Sequence, residues 1–336
     1  MLNVAVVGAG GLARRRAEIL QSLSGVRVSA MIGRSRRGAA VAEELGVPFT
    51  TSLVDGVRNA DAVVVSISTD QHLPVVEQLL LAAKKPLLLE KPLASNLTDC
   101  IQMCRLIEEA GVPVHIGYQR RFLPDYVRAH TIVRSGDLGR VFVCLSTSRD
   151  RVCPDARYIR TSGGIWRDLV IHDINLIRWF MNDEVEWVEG LGTNGDTEYL
   201  KEMQDFEDVL GVMQFASGGL GYVGASRTAH HGCDIRTEVW GETGSVFVEL
   251  DERRDLALLS KQGIVRQGFT DYLDVFGRAF VEEVKAWVKS VVDGTPGMIT
   301  VQEALKDSIV AEAFTLSANE GRRVYVEEVR QTAAVS

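Results

Sequence analysis

The reading of "NVAVVGAGGLA", residues 3–13, decides the fold. Its first half is a continuous apolar run without polar alternation, the pattern of a strand buried on both faces. It ends in Gly8, Gly10 and Ala13, a G-x-G-x-x-A spacing, and a helical periodicity follows from about Arg14 to Leu23. Each position has a physical reason. Gly8 permits a tight turn, Gly10 lets the backbone approach a pyrophosphate, and Ala13 lets the helix pack closely on the strand. Gly11 and Leu12 lie in the first turn, where helix N–H groups meet an anion. A lone match of this kind is a weak signal. Its place after the first strand of a long alternating region makes it a dinucleotide-binding turn.

Working outward, apolar strands at 26–32, 60–68, 85–90 and 112–117 alternate with helical patterns, which predicts a parallel sheet covered on both faces. The pattern changes after about residue 120. A helix at 124–135 ends at Gly136, and "RVFVCLSTS" (140–148) follows as a strand. "SGGIWRDLVIHDINLIRWF" (162–180) reads as one amphipathic helix carrying Asp168 and His172 four residues apart. Further strands are predicted at 185–192, 207–215, 219–226, 235–240, 245–249 and 256–267, and long helices at 272–292 and 301–319. The expectation is an α/β chain of two domains. Residues 1–120 form the dinucleotide-binding part, and residues 121–336 form an α/β domain on a large, mostly antiparallel open sheet.

Composition narrows the function. With 24% charged residues and a net charge of −8, the chain lacks the basic balance of a nucleic-acid binder. Five cysteines, an odd number without paired metal spacing, read as reduced thiols. No apolar stretch reaches the length of a membrane span, and no basic segment precedes the first apolar run. A cytoplasmic protein is expected. Asp168 and His172 alone would make an incomplete zinc site, so no metal is expected.

The end of the second strand discriminates between cofactors. An acid there would bond the ribose 2′-hydroxyl of NAD. This chain has "MIGRSRRG" (31–38), with Arg34, Ser35, Arg36 and Arg37 and no acid. Guanidinium and hydroxyl groups suit a 2′-phosphate, so NADP is the predicted preference, with NAD as the second choice.

"LLLEKPLA" (87–94) places Glu90, Lys91 and Pro92 at the carboxyl end of a strand, where ligands bind open α/β sheets. With the glycine turn before it and D-x-x-x-H-D after it, the chain resembles the Gfo/Idh/MocA oxidoreductases. Within them it is most similar to the inositol 2-dehydrogenases, through "GYQRRFLPDY" (117–126), residues 147–173 and "GCDIRTEVWGETG" (232–244). The resemblance implies a Rossmann domain followed by a domain whose open sheet joins subunits into a homodimer or homotetramer. It implies Lys91, Asp168 and His172 as catalytic residues. It also implies a cofactor-lining role for Ser68, Thr69, Asp70 and His72, together with Glu90, Lys91 and Pro92. Substrate contacts are expected from Gln119, Arg120 and Tyr158 beside the catalytic three. Where the related enzymes usually carry Y-G-Y-D, this chain has "HHGCD" (230–234), so His231 and Cys233 replace aromatics at the substrate.

The chemistry suits these side chains. Oxidising a secondary alcohol removes a hydride from carbon and a proton from oxygen. The unperturbed pKa of a histidine lies near operating pH, so His172 can take the proton; Asp168 can orient it, and Lys91 can steady charge on the oxygen. The expected function is NAD(P)-dependent alcohol–ketone interconversion on a cyclic polyol. A ketosugar reductase of the same family is the enzymatic alternative, and a catalytically silent NADP-binding regulator is the alternative of another class. Elsewhere, His115 is expected in the core and His130 facing solvent.

Overall fold

The computed structural model describes residues 1–195, 197–250, 252–261 and 263–335. They form two units, Met1–Gln119 with Phe280–Lys306, and Arg120–Ala279 with Asp307–Ser336.

In the first unit, six parallel strands are β1 (Leu2–Val7), β2 (Val26–Ile32), β3 (Phe49–Thr50), β4 (Ala62–Val65), β5 (Leu87–Glu90) and β6 (Val114–Gly117). Their order is β3-β2-β1-β4-β5-β6, the doubly wound arrangement of dinucleotide-binding sheets. Between them run α1 (Gly11–Ser22), α2 (Arg36–Glu44), α3 (Leu53–Val57), α4 (His72–Ala82) and α5 (Leu97–Ala110). Val4, Ala5, Val6, Val63, Val64, Leu88 and Leu89 are fully buried, as strands covered on both faces require. Local chemistry punctuates the helices. Ser35, Ser52 and Asn96 cap α2, α3 and α5 through their side chains, and Gly111 closes α5 at a left-handed φ of 65°.

Residues 280–306 follow most of the second unit in sequence but belong with the first. The Ile116 N–H donates to the Ile299 carbonyl at 2.9 Å, and Arg16 pairs with Glu283 at 2.6 Å. The alternation of strand and helix signals that suggests a break near residue 120 carries no mark of this return.

The second unit begins with α6 (Pro124–Ser135), β7 (Val141–Arg149), α7 (Ala156–Ser162), α8 (Ile165–Asp168), α9 (Ile171–Met181), β8 (Val185–Thr193) and α10 (Glu198–Glu202). Strands β9 (Asp208–Phe215), β10 (Leu220–Ser226), β11 (Asp234–Gly241) and β12 (Ser245–Leu250) follow. A separate hairpin pairs β13 (Glu252–Ser260) with β14 (Gly263–Gly268). The strand predicted over 256–267 is therefore two strands, and its Gln262 lies outside the described residues. Helices α11 (Tyr272–Asp293) and α12 (Val301–Glu320), the short β15 (Val324–Tyr325) and α13 (Val326–Val335) end the chain.

The large sheet has the order β12-β11-β7-β10-β9-β8-β15 and is antiparallel except for the β10–β7 pair. On its inner face Trp166 stacks on Phe314 with centroids 4.6 Å apart. Gly190 and Gly211 leave room for that Phe314, since a Cβ on Gly211 would lie 2.4 Å from its ring. The other face leaves Leu191, Leu210, Val212 and Phe247 exposed.

The helix predicted over 162–180 is interrupted. Gly163 and Gly164 both adopt positive φ and separate α7 from α8. Between α8 and α9 the Val170 N–H donates to the Ile165 carbonyl five residues back, and the Asp173 N–H to Val170 only three back. A wide turn followed by a tight one replaces regular α-helix, a distortion frequent at functional sites. Asp168 and His172 therefore do not stand one regular turn apart on a single helix.

Candidate active site

The glycine turn separates two reasons for glycine. Gly8 has φ +128°, and a Cβ there would lie 2.0 Å from the Ser66 carbonyl oxygen, so the chain itself requires glycine. At Gly10 and Gly11 a Cβ would meet nothing within 4 Å. Their missing side chains clear the approach to the α1 N-terminus, which no side chain caps and whose first turn holds no acid. Exposed N–H groups in an open cradle fit the pyrophosphate of a dinucleotide. Leu12 lies in this first turn, and Ala13 is fully buried against the strand.

Beyond β2, Arg34, Ser35, Arg36 and Arg37 are all exposed. Among the described residues no carboxylate pairs with these three arginines. The Ser35 hydroxyl accepts the Gly38 N–H at 3.1 Å as the α2 cap, and its proton remains available to donate.

Residues 69–71 form a single 3-10 turn after β4, with Ser68 and Asp70 exposed and Thr69 half-buried. His72 is different. It is fully buried, with Nδ1 2.9 Å from the Pro92 carbonyl and Nε2 3.3 Å from that of Ile67, and burial pulls its pKa down. Nδ1–H donates to Pro92, which braces the turn that carries Lys91. Lys91 itself is half-buried.

Glu90 points inward. Its Oε1 accepts from Arg16 Nε at 2.7 Å, and Arg16 reaches Glu283 with its other arm. His115 lies 3.6 Å from Glu283, so it is a core residue with an acidic neighbour. Burial pushes Glu90 up. It also works against the charge of Glu283, yet Arg16 and His115 hold that carboxyl below its usual range. This ion cluster joins the helix after the glycine turn to the residue preceding Lys91.

In the second unit, Asp168 and His172 are both nearly buried. The Tyr158 hydroxyl donates to Asp168 Oδ1 at 2.9 Å, and Arg227 Nη1 lies 3.7 Å from Oδ2. The Asp168 charge, aided by burial, raises the Tyr158 pKa, so the phenol stays a donor. Arg120 is buried against Asp173 at 3.1 Å, and Ser146 and Ser148 donate to the same carboxylate oxygen. That places Arg120 as an anchor of α9 on β7. Gln119 is buried at the end of the first unit. His231 is exposed, 3.7 Å from Asp234, whereas Cys233 is buried and its thiol is pushed up to about 11 by that burial. His130, expected in solvent, instead stacks on Trp179 at 3.8 Å, because α6 packs its polar-looking face beside α9. Among the described residues no cluster of His, Cys, Asp and Glu could hold a metal.

Two site residues escape a sequence reading. Arg227 is fully buried one residue beyond β10, and Asp205 precedes β9; neither belongs to a recognisable motif.

Two family models divide the chain between them. Residues 2–118 match "Oxidoreductase family, NAD-binding Rossmann fold", and residues 126–247 match the "GFO/IDH/MocA C-terminal domain". The chain belongs to the Gfo/Idh/MocA oxidoreductase family. Among the relatives of this family member, the myo-inositol 2-dehydrogenase of Thermotoga maritima is 32% identical, over 98% of this chain and 99% of that protein. The scyllo-inositol 2-dehydrogenase (NAD(+)) of Bacillus subtilis is 30% identical, over 98% and 97%. A scyllo-inositol dehydrogenase from Lactobacillus casei, solved with NAD(H) and scyllo-inositol, superposes with a TM-score of 0.90 at 25% identity, over 97% and 99%. The chain is thus an oxidoreductase with an NAD-binding Rossmann domain. None of its described helices is long and apolar enough to cross a membrane.

Proposed function

We propose that this oxidoreductase interconverts a secondary alcohol and a ketone on an inositol or a related cyclitol. The observation that carries this is full-length similarity to two inositol dehydrogenases in a chain that carries Lys91, Asp168 and His172. His172 takes the hydroxyl proton in oxidation and returns it in reduction. Asp168, held by Tyr158, steadies the imidazolium that forms, and Lys91 donates a hydrogen bond to the reacting oxygen. The nicotinamide, when bound, supplies or accepts the hydride. The open cradle at Gly10 and Gly11 and the α1 N-terminus hold its pyrophosphate.

The arginine-rich loop after β2 supports a preference for NADP, since three exposed cations and one hydroxyl suit a 2′-phosphate. The segment around exposed His231 supports an amino- or deoxy-cyclitol, or a ketosugar reduced in biosynthesis, as the second reading. The exposed apolar face of the large sheet supports a homodimer or homotetramer joined there, and the composition supports a cytoplasmic location.

A turnover screen of inositol isomers, aminocyclitols and pyranoses with NADP and NAD tests the assignment. Turnover of a cyclitol with the higher kcat/KM for NADP is expected. Turnover of none of these compounds would remove the substrate class, and a strong preference for NAD would remove the cofactor assignment. His172→Ala should lower kcat by about 10²–10⁴ with nucleotide affinity retained. Near-normal activity at neutral pH would remove His172 from the acid–base role.

A further inference from the structure

Asp205 and Arg227 close a ring around the short helix α8. Asp205 Oδ1 accepts the N–H of Ile165, the first residue of α8, at 2.9 Å. Asp205 Oδ2 accepts from Arg227 Nη2 at 2.9 Å, and Arg227 Nη1 lies 3.7 Å from Oδ2 of Asp168, the last residue of α8. Arg227 Nε is directed to the Phe206 carbonyl at 3.3 Å. All three charged side chains are nearly or fully buried. A single helical turn has no cooperative stability of its own, so its geometry comes from what grips its ends. Here one carboxylate accepts the first N–H and also holds the guanidinium that forms an ion pair with the last side chain.

We propose that Arg227 and Asp205 are a positioning pair that fixes the orientation of Asp168 during turnover. The inference rests on the assignment of Asp168 to the catalytic machinery. A planar guanidinium suits this place because it spans two carboxylates with separate nitrogens, which a lysine ammonium cannot do in the same geometry. Tyr158 occupies the other oxygen of Asp168, so three residues from three segments set one carboxylate. None of them needs to touch the substrate to affect the rate.

The experiment is steady-state kinetics on the full-length enzyme with its best substrate, comparing Arg227→Met, Arg227→Lys, Asp205→Asn and Asp168→Asn. Nucleotide binding is followed by fluorescence titration and folding by thermal melts. Arg227→Met should lower kcat about 100-fold while KM and nucleotide affinity stay within about threefold. Arg227→Lys should recover at least about tenfold of that loss by restoring the charge. Asp205→Asn keeps an acceptor for the Ile165 N–H and loosens Arg227, and should lower kcat about tenfold. Should Arg227→Met fail to fold, the Asp205→Asn and Arg227→Lys results decide. A kcat within about threefold of the parent in Arg227→Met or Asp205→Asn overturns the proposal. So does a loss shared equally by Arg227→Lys and accompanied by lost nucleotide binding. An active Asp168→Asn would overturn the underlying assignment instead, and an inactive Asp168→Asn beside an unaffected Arg227→Met would overturn only the pairing.

Discussion

At the scale of single residues, glycines that look alike in sequence differ in what they answer to. Gly8 is demanded by its own chain, so Gly8→Ala should lower stability by about 2–4 kcal/mol, read from a denaturant midpoint, through left-handed strain and a clash with a carbonyl. Gly10→Ala places a methyl in open space, so its melting temperature should stay near that of the parent while dinucleotide affinity falls at least about tenfold. Equal stability losses in the two variants would contradict this division. His130 offers a pH readout. Burial, with the nearby charges of Arg134 and Arg121, lowers its pKa to about 4 from an ordinary 6.5. The unfolded chain therefore binds the extra proton between those values, and stability falls as pH drops from about 6.5 towards 4, with no contribution above that window. Allowing for solvent screening the loss is about 1–2 kcal/mol. His130→Phe keeps a ring on Trp179 and should flatten the slope of melting temperature against pH in that range; an unchanged slope would assign it to other groups.

At the scale of elements, α9 is held by a polar anchor as well as by its apolar stripe. Asp173 is fully buried on β7, accepting from Arg120, Ser146 and Ser148, and burial raises its pKa. Asp173→Ala leaves the Arg120 charge buried without its counterion and should cost about 3–5 kcal/mol in urea unfolding. A loss below about 1 kcal/mol would show that water or another group takes over. The longer strands of both sheets were legible because burial on one or both faces leaves a direct imprint on apolar periodicity, whereas the two-residue β3 and β15 are too short to leave one. The wide turn between Asp168 and His172 left none. Its hydrogen bonds shift by one residue while Leu169, Ile171, Ile174 and Ile177 keep a helical pattern, so residues 162–180 read as one helix. Arg227 and Asp205 were illegible for a related reason. A lone charge at a strand end looks solvated in sequence, and only tertiary structure shows that two carboxylates and a guanidinium share one interior. The nucleotide turn could be read because its spacing is local, whereas the inward turn of Glu90 towards Arg16 could not.

At the scale of the whole molecule, the uncovered sheet face is the feature that asks for a partner. Leu191 and Leu210 face each other across β8 and β9, with Val212 beside Glu189 on the next exposed row. Leu210→Glu should convert the assembly proposed above to monomers in light scattering, with its secondary structure intact; an unchanged mass would place the interface elsewhere. The return of residues 280–306 to the first unit bears on how this architecture is inherited and rearranged. The polypeptide passes between the two units three times, at 119/120, 279/280 and 306/307. A cofactor half cut at residue 120 would carry Arg16 and Glu90 without Glu283, and His115 without its acidic neighbour. Exchanging cofactor specificity between relatives by recombination therefore takes a three-junction transplant in which 1–119 travels with 280–306. A single crossover would deliver the dinucleotide cradle with Glu283, one of the two carboxylates of its ionic keystone, left in the parent.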